Sequence, residues 1–287
     1  MLAPLDRPAA ETAPRGLTEG QKVQFDCDGF LVLRGLFSPQ EAAAIRDAFM
    51  DAAQDGPIEG LSEIRRGQDG YDPRDPLAFY PRMMNPHTQP ERAVGRLARG
   101  FMLGPRLEPI LTALFGEEPV GVQTMFYFKP AGARGQDLHQ DNFYLRVKPG
   151  TCMAAWMAVD DADAENGGMR VVPGSSRIDI ACPEQADAAV SFTTDHVGVP
   201  VGMRTEDVTL KAGDVLFFNG ALIHGSTPNS SQDRFRRSLI AYYVPRHSQE
   251  LSEHYRSPMT FDGQVVSIDA ATGGGPCGTP SFAPGPH

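Results

Sequence analysis

The chain has 287 residues, and hydrophobic residues make up 41% of them, enough to bury the core of one large domain or two small ones. A formal net charge of −10 at pH 7 excludes a general nucleic-acid binder, because such proteins carry a basic surface. The sequence has no apolar run of about 18 residues that would span a membrane, and its N-terminus lacks the pattern of a signal peptide. We therefore expect a soluble cytoplasmic protein with no nucleic-acid or membrane partner.

The four cysteines, Cys27, Cys152, Cys182 and Cys277, are scattered, and no CxxC pair suggests a structural zinc site. The simplest interpretation is that all four are reduced thiols in a cytosol. Residues 1–16 are rich in Pro and Ala and residues 272–287 in Gly and Pro, so we expect a disordered N-terminus and a flexible C-terminal tail. Between them, residues 17–271 are expected to form a single domain.

Helix signals concentrate in the first part of the chain. N-cap residues, Pro at a first helical position and apolar residues at spacings of three and four are typical of amphipathic helices. These signals predict a short helix from Thr18, a strand at 29–35, a helix from Ser38, and a helical stretch at 91–115 that breaks near Gly104-Pro105.

Residues 55–90 have a different character, because Gly, Pro and charged residues dominate and no periodicity persists. A structureless stretch of this length in a compact domain is usually either functional or mobile. We expect a lid or a pocket wall here, with a disordered surface loop as the alternative.

From about residue 120 to 245, short apolar runs alternate with turn signals. The predicted strands are 122–129, 139–147, 153–159, 169–172, 208–210, 215–218 and 238–244. Many short strands without intervening helices indicate a mainly β fold, either a sandwich or a jelly-roll barrel, and the N-terminal helices would pack outside it.

Three side chains in this region suggest a metal site. His139 and Asp141 would point the same way if their segment is a β-strand, because successive side chains alternate between faces. His224, between two turn signals, offers a third ligand. Two histidines and one carboxylate with open positions opposite suit a non-heme Fe(II) oxygenase. The alternative is that each histidine has a purely structural role.

Two adjacent arginines, Arg236 and Arg237, begin the predicted strand that ends at Val244. Alternation places one of them on the inward face, where an unpaired charge would be costly. An anionic ligand is a natural partner, since a guanidinium matches a carboxylate in two hydrogen bonds. An internal salt bridge is the alternative.

Together these motifs resemble the phytanoyl-CoA dioxygenase family, whose members are Fe(II)- and 2-oxoglutarate-dependent oxygenases on a double-stranded β-helix, which is a jelly-roll barrel. The resemblance rests on residues 138–141, 156–175, 213–218, 224–226 and 235–236. It implies that His139, Asp141 and His224 bind iron, and that Arg236, or else Arg237, holds the distal carboxylate of 2-oxoglutarate.

The resemblance also implies further cosubstrate contacts, at Ser226, Trp156, Met125 and Gln136, with Arg82 in place of a lysine that many members have. For Trp156 and Met125, packing in the core is the alternative. We expect Asn142 and Tyr144 to contact the substrate.

The reaction implied by the resemblance is hydroxylation of an unactivated C–H bond in a small molecule, with O2 consumed and succinate and CO2 released. Related halogenases have Gly or Ala in place of the carboxylate, so Asp141 favours hydroxylation, desaturation or cyclisation over halogenation. Two other classes stay open: a non-catalytic barrel that senses a 2-oxo acid or a metal, and a cupin-type metal-dependent isomerase or hydrolase. The sequence predicts neither the substrate nor the oligomeric state.

Overall fold

A computed structural model of the chain describes residues 16–64, 72–255, 257–271 and Cys277. The described helices are α1 (Glu19–Asp28), α2 (Pro39–Ala52), α3 (Pro76–Phe79), α4 (Ala93–Met102), α5 (Glu108–Phe115) and α6 (Asn142–Leu145), with short 3-10 turns at Pro86–Thr88 and Ser175–Arg177. The described strands are β1 (Phe30–Leu33), β2 (Met83–Met84), β3 (Pro119–Tyr127), β4 (Gln136–His139), β5 (Met153–Ala158), β6 (Met169–Val171), β7 (Glu184–Gln185), β8 (Asp195–His196), β9 (Glu206–Val208), β10 (Val215–Asn219), β11 (His224–Ser226), β12 (Ser238–Pro245), β13 (Glu250–Leu251) and β14 (Asp269–Ala270).

Two antiparallel sheets form the barrel. The larger has six strands in the order β1-β10-β5-β12-β3-β2, and the smaller has four in the order β4-β11-β6-β9. Neighbours in space are mostly far apart in sequence, as when β1 near the N-terminus pairs with β10. The mainly β fold with a jelly-roll, double-stranded β-helix barrel is therefore confirmed.

The larger sheet is buried on both faces. On one face Trp156 and Phe218 share a core with Met169 of the smaller sheet. On the other face lie the helices, and the ring of Phe49 in α2 stacks on Phe126 in β3 at 3.9 Å between centroids. Since both faces are covered, strand β5 is buried at every position, which explains its unbroken apolar run.

The residues predicted to cap helix starts do so in the structure, although α1 runs three residues past its predicted end at Phe25. Thr18 and Ser38 both form complete capping boxes, at α1 and α2. The helical stretch at 91–115 divides into α4 and α5 around the predicted break, and Gly116 ends α5 in the left-handed conformation (φ 76°). No described helix is long and apolar enough to cross a membrane.

Within residues 55–90, the described parts pack against the barrel. Asp75 forms an ion pair with Arg134 at 2.7 Å. The ring of Tyr80 contacts those of Phe128 and Phe235, with centroids 5.5 Å and 5.4 Å away. Residues 65–71 and residue 256 lie outside the described residues. So do residues 1–15, 272–276 and 278–287, which belong to the two termini for which the sequence predicts disorder.

The prediction of four reduced thiols is wrong for two of them. Cys182 and Cys277 form a disulfide with a Cα–Cα distance of 5.6 Å, while Cys27 and Cys152 are free. The partners are 95 residues apart in sequence, so the spacing of the cysteines gives no sign of the pair. The disulfide attaches the C-terminal segment to the loop after β6.

Candidate active site

The pairing of β4 with β11 brings two histidines together. His139 and His224 are direct partners across this antiparallel pair, and their ring centroids lie 4.3 Å apart. Both side chains are buried. The smaller sheet therefore carries both imidazoles on a rigid support inside the barrel.

Asp141 joins the two histidines, but not from a strand. The prediction of a strand over 139–147 is wrong, because β4 ends at His139 and Asp141 has helical torsion angles (φ −59°, ψ −37°) at the start of α6. Backbone bonds form the turn, among them Tyr144 N–H to the Asp141 carbonyl (2.9 Å). The side chain of Gln140 attaches the turn to neighbouring segments: its Nε2 donates to the Ala221 carbonyl (2.7 Å) and its Oε1 accepts from the Ala181 N–H (2.8 Å).

The turn still delivers the carboxylate to the histidines. Asp141 Oδ1 lies 3.4 Å from His139 Nε2 and 3.6 Å from His224 Nε2. All three ligand atoms lie within 4.8 Å of one another. Ligand atoms about 2.1 Å from an ion and at right angles would be about 3 Å apart, so small adjustments suffice to bind a metal.

Hydrogen bonds fix which imidazole nitrogen faces the centre. His139 Nδ1 lies 2.7 Å from the Asp137 carbonyl oxygen, and His224 Nδ1 lies 3.0 Å from that of Leu222. A carbonyl oxygen only accepts, so each Nδ1 carries the hydrogen and each Nε2 keeps its lone pair for a metal. This donor set of two imidazoles and one carboxylate fits Fe(II).

Arg236 is the inward arginine, and its side chain is 3% exposed. Its Nε donates to the Gly167 carbonyl (3.0 Å), Nη1 donates to Ser238 Oγ (3.0 Å), and the guanidinium lies 5.4 Å from the ring centroid of Trp156. Burial lowers the pKa of Arg236 to about 10, so the group stays charged near neutral pH. Among the described residues, no carboxylate forms an ion pair with it.

Arg237, the alternative, points the other way. It forms a bidentate ion pair with Asp160, at 2.7 Å and 2.9 Å. Its charge is already matched, so it is not a second candidate for an anionic ligand.

A small cavity of about 20 Å³ joins these features. It is lined by His139 and His224, by Arg236, and by three further predicted positions, Gln136, Trp156 and Ser226. The Gln136 amide nitrogen lies 3.1 Å from His139 Nε2. Met125 belongs to the same core cluster as Trp156 and lies 3.8 Å, through its sulfur, from the Tyr127 hydroxyl.

Arg82 lies further from the centre. It is buried and forms a bidentate ion pair with Glu63, at 2.7 Å and 2.8 Å, while its Nη1 donates to the Tyr127 hydroxyl (3.0 Å). It lines a larger cavity of about 190 Å³, whose walls include residues from 57–64, 72–82 and the loop 188–194. Tyr127 and Arg236 line both cavities, which are therefore adjacent.

The two residues predicted to contact substrate lie at the start of α6. The Asn142 side-chain oxygen accepts a bond from the Val147 N–H (3.1 Å). The Tyr144 hydroxyl donates to the Asp195 carboxylate, and its ring centroid lies 6.4 Å from that of His139. Burial, together with the Asp195 carboxylate, raises the pKa of Tyr144, which stays protonated.

Lys129 is a site residue that sequence reasoning missed. Its buried ammonium lies beside Ser226 and Gly167, and burial together with the positive charge of Arg236 lowers its pKa. A lysine followed by proline at the end of a predicted strand is typical of an exposed strand end, so no local signal indicates that Lys129 is buried.

The barrel and its two-histidine, one-carboxylate centre define the class of double-stranded β-helix non-heme iron oxygenases. The profile of the phytanoyl-CoA dioxygenase (PhyH) family matches residues 25–238. The chain belongs to this family, as the sequence motifs indicated. One curated relative, phytanoyl-CoA dioxygenase 1 of Oryza sativa subsp. japonica, is 25% identical over 241 residues, which cover 75% of this chain and 85% of the relative.

Two solved structures show the same fold. The epimerase SnoN in complex with Fe3+, alpha ketoglutarate and nogalamycin RO has a TM-score of 0.61 and 21% identity, over 80% of this chain and 84% of its own. EctD from S. alaskensis, with 2-oxoglutarate and 5-hydroxyectoine, has a TM-score of 0.60 and 21% identity, over 83% and 79% of the two chains. The predicted cofactors, Fe(II), 2-oxoglutarate and O2, agree with these findings and with the triad.

Proposed function

We propose that this protein is an Fe(II)- and 2-oxoglutarate-dependent dioxygenase that hydroxylates an unactivated C–H bond of a small molecule, with succinate and CO2 as co-products. One observation carries the proposal. The ligand atoms of His139, Asp141 and His224 converge, and the buried Arg236 lines the same small cavity. A metal triad alone fits many reactions, whereas a buried cation across from it calls for an anionic cosubstrate.

Each residue has a role in this proposal. His139 and His224 bind iron through Nε2, and Asp141 binds it through its carboxylate. Arg236 and Ser226 hold the far carboxylate of 2-oxoglutarate, and Trp156 and Gln136 form walls around its chain. Met125, from the same core cluster as Trp156, is the further predicted contact. When bound, iron together with 2-oxoglutarate supplies the activation of O2, and the apolar walls keep water away.

The substrate is proposed to approach from the side of α6. Tyr144 lies there, with its ring 6.4 Å from that of His139 and its hydroxyl fixed by the bond to Asp195, and Asn142 begins the same helix. The larger cavity is a second region open to a ligand, with Arg82 and Glu63 in its wall as a neutral pair. An internal ion pair reduces the need for a charged substrate at that point.

Turnover without substrate tests the reaction class. The purified protein with Fe(II), 2-oxoglutarate and O2 should release succinate slowly, and a true substrate should accelerate this release. A non-catalytic sensor would bind 2-oxoglutarate but release no succinate. A cupin-type isomerase or hydrolase would show no binding of 2-oxoglutarate at all.

The mass of the product separates the reactions within the class. Hydroxylation adds one oxygen atom, desaturation or cyclisation removes two hydrogens, and epimerisation leaves the mass unchanged. This distinction is needed because SnoN, a neighbour with the same fold, is an epimerase. We expect the added oxygen to carry label from 18O2.

A further inference from the structure

Lys129 lies two residues beyond the end of β3, and its side chain is 3% exposed. Its Nζ donates to the Gly167 carbonyl (2.9 Å), to Ser226 Oγ (2.9 Å) and to the Thr227 carbonyl. Three oxygen acceptors match the three hydrogens of an ammonium group. The lysine is therefore held in one position.

Lys129 and Arg236 form one buried cationic cluster. The Gly167 carbonyl accepts from Lys129 Nζ and also from Arg236 Nε, at 2.9 Å and 3.0 Å. Within the described part of the chain, neither cation forms an ion pair with a carboxylate. Burial and mutual repulsion disfavour the two positive charges, carbonyl dipoles offset part of this cost, and an anionic ligand in the cavity would offset more of it.

The backbone around Lys129 is shaped for this contact. Gly167 has a φ of +77°, and a Cβ at this position would lie 2.6 Å from Lys129 Cε and 2.6 Å from the Thr227 carbonyl oxygen. Any larger residue would displace the lysine or the turn. The glycine is therefore required by the close approach of the lysine.

The hydrogen bonds to Ser226 define the direction in which its hydroxyl donates. Ser226 Oγ accepts from Lys129 Nζ (2.9 Å) and from the Gln136 backbone N–H (3.3 Å). A hydroxyl has two acceptor sites and one hydrogen, so both acceptor sites are used. Its hydrogen is left to donate to a group in the cavity that Ser226 lines with Arg236.

From this geometry we propose that Lys129 is a positioning residue for the far carboxylate of the 2-oxo diacid. It orients the Ser226 hydroxyl toward that carboxylate, and through Gly167 it fixes the Arg236 guanidinium. The inference rests on the proposed function, in which Arg236 and Ser226 hold the far carboxylate, and it adds the residue that positions these two groups. The end of the cosubstrate that chelates iron does not depend on Lys129.

The test compares two ligands in the Fe(II)-loaded protein without oxygen. 2-Oxoglutarate carries the far carboxylate, and 2-oxopentanoate has the same chain without it. Dissociation constants are measured for the wild type, for Lys129→Gln and Lys129→Met, and for Lys22→Met as a matched control on the outer face of α1. Lys129→Gln keeps two N–H donors for the buried carbonyls, so it preserves the fold if Lys129→Met does not.

We expect both Lys129 variants to weaken 2-oxoglutarate binding by about tenfold or more, because Ser226 and Arg236 are no longer held in position for the far carboxylate. Binding of 2-oxopentanoate should change by less than about twofold, because it has no far carboxylate for these two groups to contact. An equal loss for both acids would show a merely structural role, and no loss for either would show no role; each result overturns the inference. Wild-type protein that binds neither acid would contradict the proposed function itself.

Discussion

His139 and His224 face each other as direct partners in the β4–β11 pair, although 84 residues separate them in the chain. A shift of one residue in this pairing would turn one imidazole to the opposite face of the sheet. The metal site therefore exists only when the barrel has closed in the correct register. Asp141 adds its carboxylate from outside the ladder, at 3.4 Å and 3.6 Å from the two imidazoles.

The two adjacent arginines give a matched pair of variants. Arg236→Met should raise the dissociation constant of 2-oxoglutarate by about tenfold to a hundredfold, because the far carboxylate loses its buried cation. Arg237→Met, which breaks the ion pair with Asp160 on the other face, should leave this constant nearly unchanged. Anaerobic titration of both variants with 2-oxoglutarate checks this. Equal effects would remove Arg236 from the cosubstrate site.

Gln140 is expected to support the metal site from behind. Gln140→Ala removes the bonds to Ala181 and Ala221 and leaves their backbone groups without this partner. We expect the free energy of unfolding to fall by about 1–3 kcal/mol, with weaker Fe(II) binding, as measured by urea unfolding and metal titration. Gln54→Ala, at an exposed position after α2, is the control. Wild-type stability in Gln140→Ala would contradict the supporting role.

His87 gives the protein a defined pH dependence. Burial, and to a lesser extent the charge of Arg99, lowers the pKa of His87 from 6.5 to about 4. Between these values the unfolded chain binds a proton that the folded protein does not. The stability associated with neutral His87 is therefore complete above pH 6.5 and is lost as the pH falls toward 4, by up to about 1.4 kcal/mol per pH unit.

Denaturant unfolding across this range tests the effect. His87→Gln should reduce the slope of unfolding free energy against pH, while His254→Gln, at an exposed position, should keep it. An unchanged slope in His87→Gln would mean that other groups account for the acid sensitivity.

The disulfide predicts a response to reducing agents. Cys182→Ser should lower the free energy of unfolding by about 2–4 kcal/mol, because the link between distant segments no longer restricts the unfolded chain. Dithiothreitol should produce a similar loss in the wild type and little further loss in Cys182→Ser. Cys27→Ser, at an exposed free thiol, is the control. A wild type that does not respond to the reductant would contradict the prediction.

Much of the fold follows from local signals in the sequence. The caps at Thr18 and Ser38 and the left-handed end at Gly116 depend on residues next to one another, so they can be predicted from the chain alone. The unbroken apolar runs of the large sheet likewise indicate strands covered on both faces. The choice between Arg236 and Arg237 needed the structure, since alternation alone does not say which face is inward.

Features that depend on distant partners could not be predicted in this way. Asp141 lies on a turn that Gln140 attaches to Ala181 and Ala221, which are far along the chain. Lys129 becomes a site residue only through Gly167 and Ser226. The same holds for the disulfide, whose partners meet only in the folded protein.

The central claim is that His139, Asp141 and His224 bind an Fe(II) ion that 2-oxoglutarate chelates. Its most direct test is anaerobic titration with Fe(II) and then 2-oxoglutarate. The wild type is compared with Asp141→Ala, and Asp207→Ala on β9 is the control. A 2-oxo acid chelated to Fe(II) gives a visible charge-transfer band. We expect this band in the wild type and in Asp207→Ala, and its loss in Asp141→Ala together with most of the Fe(II) affinity. A wild type without the band, or an Asp141→Ala variant that keeps it at full strength, would contradict the account.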